Sequence, residues 1–102
     1  MMFDIIIQGG LVIDGTGTKP QQIDIGITRD TITAIGGIDG AEAAETVDAR
    51  GLHVCPGFID SHSHSDFNIL IEPAGQAKVQ QGVTTEVCGN CGMSSAPLYG
   101  MA

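Results

Sequence analysis

The sequence predicts a β-rich module over residues 1–55, followed over residues 56–102 by a unit of strand, helix and strand. Two observations favour this division. The first 55 residues consist of short β-branched runs separated by glycine-containing turns, a pattern typical of a small all-β module. In the remainder, helix-forming residues separate two strand-like runs, and that order predicts two parallel strands joined by a helical crossover.

Six short strands are predicted in the β-rich module, at residues 3–8, 11–13, 22–28, 31–35, 47–49 and 52–55. The last two flank Arg50-Gly51 and are expected to pair with each other. The polar, alanine-rich residues 39–46 are expected to form a loop or a single helical turn. The glycine pairs, such as Gly9-Gly10, match no phosphate-binding pattern and are interpreted as turns.

The helix of the second unit is predicted at residues 74–81, which are mostly good helix formers. Pro73 suits the first helical position, and the carboxylate of Glu72 suits the positive end of the helix dipole. Gly82 can adopt the left-handed conformation that commonly ends a helix. Residues 83–88 then predict the second of the two parallel strands.

His62 and His64 follow an apolar strand signal at residues 58–59. Because side chains alternate along a strand, an extended backbone would place both imidazoles on one side, together with Asp60 and Asp66. Two converging imidazoles are a natural pair of metal ligands, and the carboxylates could orient the rings through hydrogen bonds. From these residues alone, two ordinary solvated histidines remain an alternative.

Cys91 is the third candidate ligand and follows the second predicted strand, in the sequence Gly-Asn-Cys-Gly. Chemistry gathers at the carboxyl ends of parallel strands, and neighbouring strands are about 4.8 Å apart. The thiolate could therefore meet the same metal as His62 and His64. Sulfur and nitrogen ligands together favour zinc.

Cys88 and Cys91 also form a Cys-x-x-Cys pair, which allows two other interpretations. With two histidines the pair could complete a structural zinc site, and by itself it could be a redox dithiol. A simpler expectation is that Cys88 and Cys55 are buried strand residues, as free cysteines often are. His53 is interpreted as an ordinary strand residue.

The composition argues against several classes of partner. Four basic residues against twelve acidic ones give a net charge of −8, which disfavours nucleic acids and anionic membranes because both require basic surfaces. No apolar stretch approaches the roughly 20 residues of a membrane span, and the N-terminus lacks the basic region of a signal peptide. The three cysteines are therefore expected to be reduced thiols in the cytoplasm.

Residues 57–64 read Gly-Phe-Ile-Asp-Ser-His-Ser-His, which resembles the Gly-Phe-Ile-Asp-x-His-x-His signature of the first barrel strand in the metal-dependent amidohydrolases. Residues 82–97, which contain Gly-Asn-Cys-Gly, resemble the D-aminoacylase (N-acyl-D-amino-acid deacylase) branch of that family. Residues 6–17 are similar to the usual start of the superfamily. The resemblance thus covers almost the whole chain.

The resemblance implies a zinc hydrolase that removes the acyl group from an N-acyl-D-amino acid, a small-molecule substrate. His62, His64 and Cys91 would be metal ligands. The metal would lower the pKa of a water molecule and polarise the amide carbonyl. The family's remaining histidine ligands, and the aspartate that acts as general base, come from later strands. No catalytic base is therefore expected within this chain, and we expect it beyond Ala102.

The resemblance also implies a composite fold. Residues 1–55 would be half of a small β-sandwich, and residues 56–102 would begin a TIM (β/α)8 barrel. Such a barrel takes about 250 residues, and two strands cannot close one. We therefore expect an incomplete fragment that is inactive alone and whose uncovered apolar faces and strand edges favour self-association.

Two other functions remain open at this point. The chain could belong to another amidohydrolase, related to the hydantoinases or dihydroorotases, in which a lysine from a later strand is the ligand and Cys91 binds no metal. It could instead be a small non-catalytic zinc-binding module. That alternative predicts stoichiometric zinc and a cooperative fold in the isolated chain.

Overall fold

Residues 2–95 and residue 100 are described by a computed structural model, in which the chain divides between Pro56 and Gly57 into two units. Within the described residues the first unit contains the strands β1 (Met2–Gln8), β2 (Leu11–Val12), β3 (Gln21–Gln22), β4 (Ile25–Thr28), β5 (Thr31–Ile35), β6 (Glu42–Asp48) and β7 (His53–Val54). The second unit contains β8 (Phe58–Asp60), α1 (Ser65–Asn68), α2 (Gln76–Val79), β9 (Val83–Glu86) and a short 3-10 helix (Asn90–Gly92).

The first unit is built from two sheets, so the predicted β-rich character of this part of the chain is confirmed. The larger sheet has the order β5-β4-β1-β6, with β1 and β6 parallel and the other pairs antiparallel. The smaller sheet has the order β3-β2-β7, with β2 and β7 parallel. The strand predicted at 22–28 is divided between the sheets. Asp24, at the division, accepts a hydrogen bond from the Gly9 amide at 2.8 Å.

Strand β6 includes residues 42–46, for which a loop or a helical turn was predicted, so that prediction is wrong for these residues. The segment is rich in alanine and glutamate, which have low strand propensity. It is extended because it pairs in parallel with β1 along its whole length, from Met2 opposite Glu42 to Gln8 opposite Asp48. Its position at the edge of the sheet also tolerates polar side chains, most of which are exposed.

The predicted pairing of residues 47–49 with residues 52–55 is also wrong. The turn at Arg50-Gly51 carries the chain from one sheet into the other, and β7 then pairs with β2. The chain makes the same passage at Gly10, where an added Cβ would lie 2.4 Å from Cγ2 of Val54. Glycine is therefore required where these two passages lie close together, side by side.

The buried apolar side chains of the described residues lie in the first unit and are mainly aliphatic: Phe3, Ile6, Val12, Ile25 and Ala49. Phe3 is the most deeply buried, with 2% of its surface exposed. Its ring lies against Gly26, where an added Cβ would be 2.5 Å from Cε1 of the ring. The core of this unit is therefore centred on contacts between β1 and β4.

In the second unit β8 and β9 are parallel, with Asp60 opposite Glu86. This confirms the predicted order of strand, helix and strand. The helix is shorter than predicted, because Gly75, at φ +57°, occupies the N-cap position and α2 begins only at Gln76. Gly82, at φ +81°, donates its amide to the Val79 carbonyl and follows the helix as predicted. No helix among the described residues has the length and apolar character needed to cross a membrane.

Candidate metal centre

The two histidines lie just beyond β8 rather than on it. The strand ends at Asp60, His62 lies in the following bend, and His64 caps the N-terminus of α1 with φ −121°. The expectation that an extended strand carries both imidazoles is therefore wrong. The imidazoles nevertheless converge, with ring centroids 5.5 Å apart and an angle of 71° between the ring planes.

Cys91 reaches the same place from the end of β9. It has a left-handed backbone at φ +60° and lies between Gly89 and Gly92, which also have positive φ. Positive φ is uncommon for a residue with a Cβ, and such conformations often occur at functional sites. This tight turn places Sγ 3.1 Å from Nε2 of His62.

One ligand atom from each of His62, His64 and Cys91 lies within 4.8 Å of the others. This group forms within the second unit. His64 is half-buried, and its Nδ1 atom has no hydrogen-bond partner among the described residues. A buried polar atom without a partner is costly, and a bound ion would stabilise such a cluster. Two imidazole nitrogens and a thiol therefore fit a zinc ion in chemistry and in spacing.

Asp60 and Asp66 contact the backbone around the candidate ligands. Asp60 accepts a hydrogen bond from the His62 amide at 3.1 Å, and Asp66 accepts one from the Ser95 amide at 3.0 Å. Neither carboxylate is hydrogen-bonded to an imidazole ring within the described part of the chain. The structure thus places both carboxylates where they hold loops that carry the candidate ligands.

The other cysteines lie outside this group. Cys55 and Cys88 are both exposed, so the expectation that they are buried strand residues is wrong. Each lies just past the end of its strand, since β7 ends at Val54 and β9 ends at Glu86. Cys88 does not belong to the metal-binding group found among the described residues. The geometry therefore gives no support to a four-ligand site that uses the Cys-x-x-Cys pair.

A polar network adjoins the histidines, and of its members only Asp60 was identified from the sequence. Lys78 of α2 pairs with Asp60 at 2.5 Å and with Glu86 at 3.3 Å. Glu86 also accepts hydrogen bonds from the hydroxyls of Ser63 and Ser65. The sequence did contain a signal for this network, because each parallel strand ends in a carboxylate and the helix between them contains one lysine.

This network changes the acid–base properties of its members. Hydrogen bonds from Ser63 and then Ser65, together with Lys78, lower the pKa of Glu86. The hydrogen bond from Lys78 lowers the pKa of Asp60, and the same contact raises the pKa of Lys78. Both carboxylates are therefore held in the charged form at neutral pH.

Comparison with known proteins covers both units. A family model described as the amidohydrolase family matches residues 45–98. D-aminoacylase from Alcaligenes xylosoxydans xylosoxydans is 49% identical over 96 residues, which cover 94% of this chain and 20% of the relative. The chain thus spans about a fifth of the length of the curated relatives that it matches.

Solved structures also match this chain to D-aminoacylase and a related deacylase. A D-aminoacylase studied for its binuclear metal centre has a TM-score of 0.87 and 47% identity, covering 94% of this chain and 20% of that one. N-acyl-D-glutamate deacylase from Bordetella bronchiseptica, solved with zinc and a phosphonate inhibitor, has a TM-score of 0.88 and 43% identity. This second match covers 95% of the chain and 20% of the deacylase.

Proposed function

This chain belongs to the amidohydrolase family, and we propose on that premise that it is the zinc-binding front part of a hydrolase that cleaves the amide bond of N-acyl-D-amino acids. The observation that carries the proposal is the convergence of His62, His64 and Cys91, whose ligand atoms lie within 4.8 Å of one another. The likeness to D-aminoacylase and to a zinc-containing deacylase supports the same conclusion.

Each candidate ligand has a definite task in this proposal. His62 and His64 provide two nitrogen ligands and Cys91 provides a sulfur ligand. A zinc ion held there would polarise the substrate carbonyl and lower the pKa of water. The exposed side chains of His62 and Cys91 leave the site open to a small molecule. Asp60 and Asp66 hold the surrounding backbone in place.

We further propose that residues 56–102 begin a (β/α)8 barrel and that residues 1–55 belong to the associated β-module. The parallel pairing of β8 and β9 supports this assignment. The three candidate ligands also follow the carboxyl ends of these strands, where active sites of such barrels lie. The general base would come from a later part of the protein, and the cytoplasm remains the proposed location.

The geometry favours this function over the first of the two alternatives. A hydantoinase-like or dihydroorotase-like enzyme would leave Cys91 without a metal, whereas the thiol lies within 3.1 Å of the His62 ring. A non-catalytic zinc-binding module would use the same three side chains. Activity with its stereochemistry, and a cooperative fold of the isolated chain, distinguish that module from a deacylase.

Two measurements test the proposal. Zinc content and affinity are measured on the 102-residue chain, and we expect one equivalent that is lost when His62 and His64 are both replaced by alanine. Hydrolysis of N-acetyl-D-methionine and of its L-enantiomer is then measured for this chain and for the longest product of its gene. We expect D-selective hydrolysis by the longer product and none by the chain alone. Zinc binding without hydrolysis by either protein would instead support a non-catalytic module.

A further inference from the structure

Ser63, which lies between the two histidines in the sequence, is the one buried polar residue among those described, with 4% of its surface exposed. Its hydroxyl donates a hydrogen bond of 2.8 Å to Oε1 of Glu86 on β9. Its backbone amide donates to the Val87 carbonyl at 3.0 Å. The link between His62 and His64 is thus attached to the neighbouring strand by side chain and backbone.

The same oxygen of Glu86 accepts a second hydroxyl. Ser65, the residue after His64, donates to Oε1 at 3.0 Å, and the two serine hydroxyls lie 3.0 Å from each other. One carboxylate oxygen therefore holds the residues on both sides of His64. Ser65 is also the first residue of α1, so this contact sets where the chain turns from the bend into the helix.

Lys78 connects this contact to the other histidine. Its ammonium group lies 3.3 Å from Oε1 of Glu86 and also pairs with Asp60, whose second oxygen accepts the His62 amide. A partly buried network of this kind makes the geometry of its members interdependent. The backbone at His62 and the backbone around His64 are thus held by one connected set of charges.

We propose that Glu86 is a positioning residue that sets the separation and orientation of the His62 and His64 imidazoles through Ser63 and Ser65. The expected effect on zinc binding rests on the proposed metal site, because correctly placed imidazoles would bind zinc more tightly. Glu86 is not a member of the group of candidate ligands, and its Oε1 atom already accepts the three contacts described. It acts on the site only through the residues that it holds.

The test compares Glu86→Ala with Glu45→Ala in the 102-residue chain. Glu45 is an exposed glutamate on β6 of the first unit, so the control makes the same chemical change outside the unit that contains the candidate site. We expect Glu86→Ala to weaken zinc binding by about 10- to 100-fold, the usual effect of losing a group that orients ligands. We expect no change for Glu45→Ala. Glu86→Gln, which keeps an acceptor oxygen, should recover part of the loss.

Two spectroscopic readouts separate positioning from general stability. The absorption spectrum of the cobalt(II) form reports ligand geometry, and nuclear Overhauser contacts between the two imidazoles report ring separation in the metal-free chain. We expect Glu86→Ala to change both. Ser63→Ala should do the same. The double variant should be no worse than the more affected single variant, because both substitutions remove the same hydrogen bond between Ser63 and Glu86.

An unchanged cobalt spectrum and unchanged ring contacts in folded Glu86→Ala and Ser63→Ala would overturn the proposal, even if both variants melt at a lower temperature. If Glu86→Ala does not fold, Ser63→Ala decides the outcome. Failure of the wild-type chain to bind zinc would contradict the proposed function instead. In that case the metal-free ring contacts still decide whether Glu86 positions the imidazoles.

Discussion

Nε2 of His62 lies 3.1 Å from Sγ of Cys91, although the two residues are 29 positions apart. The contact forms because β8 and β9 are parallel neighbours, with Asp60 opposite Glu86. His62 and Cys91 each come after the carboxyl end of one of these strands. The left-handed turn at Cys91 then directs the thiol toward the imidazole. The contact brings a sulfur and a nitrogen donor together, as a zinc site requires.

Replacing Cys91 by serine should remove a zinc ligand, whereas Cys88→Ser should have little effect because Cys88 lies outside the candidate group. We expect Cys91→Ser to weaken zinc binding by more than the roughly 10- to 100-fold that loss of an orienting group costs. Its cobalt form should also lose the sulfur-to-metal absorption band. Retention of that band in Cys91→Ser and its loss in Cys88→Ser would assign the ligand to Cys88.

Gly26→Ala should destabilise the first unit by about 1–3 kcal/mol, because the new methyl group would meet the buried ring of Phe3. The free energy of unfolding is measured by urea titration at concentrations where the chain is monomeric. In a Phe3→Leu background the same substitution should cost less, since the smaller side chain leaves space. An equal cost in both backgrounds would show that contact with the ring is not the cause.

The pKa of Asp48 should depend on Arg50, whose side chain donates two hydrogen bonds to that carboxylate. These bonds, and then a third from the Arg50 backbone amide, lower the pKa of Asp48 from 3.8 to about 2. Arg50→Gln should raise this pKa toward its ordinary value, as measured by NMR titration of the carboxyl carbon. Lys19→Gln is the control, because it removes the same charge from an exposed residue that has no ion pair among the described residues. It should leave the pKa of Asp48 unchanged.

The Asp48 contact should also make a small, pH-dependent contribution to stability. Because the folded pKa lies below the unfolded one, the contribution is complete above about pH 4 and is lost as the pH falls toward 2. The difference in melting temperature between wild type and Arg50→Gln should therefore shrink over this interval. A difference that grows on acidification would contradict this sign.

The chain by itself should self-associate, because its second unit exposes large apolar side chains. Leu70 and Ile71 are 86% and 83% exposed, and Ile59 on the two-stranded parallel sheet is 68% exposed. Parallel sheets are normally covered on both faces. Sedimentation should therefore give a mass above that of the monomer, and Leu70→Gln combined with Ile71→Gln should reduce it.

A matched double variant, Ile32→Gln with Ile35→Gln, removes similar exposed side chains from β5 of the first unit. It should leave the association unchanged. If this variant alone yields monomers, the association uses the first unit instead. A monomeric wild-type chain with a sharp unfolding transition would contradict the prediction of self-association altogether.

Part of the fold could be predicted because its signals are local. The β-branched run of β5 specifies an extended conformation wherever it lies, and Gly82 ends its helix through a backbone conformation of its own. Strand β6 could not be predicted in this way. Its alanines and glutamates become extended only through hydrogen bonds to β1, about 40 residues earlier in the chain.

For the candidate site, the ligand candidates could be identified from the sequence, because the His-x-His spacing and the Gly-Asn-Cys-Gly motif are short local patterns. The convergence of the imidazoles beyond a strand that ends at Asp60, and the support of the adjoining backbone by Glu86 and Lys78, emerge only from the folded chain. Hydrogen bonds between distant residues depend on strand pairing and helix packing. They therefore leave no periodic signal in the sequence from which they could be read.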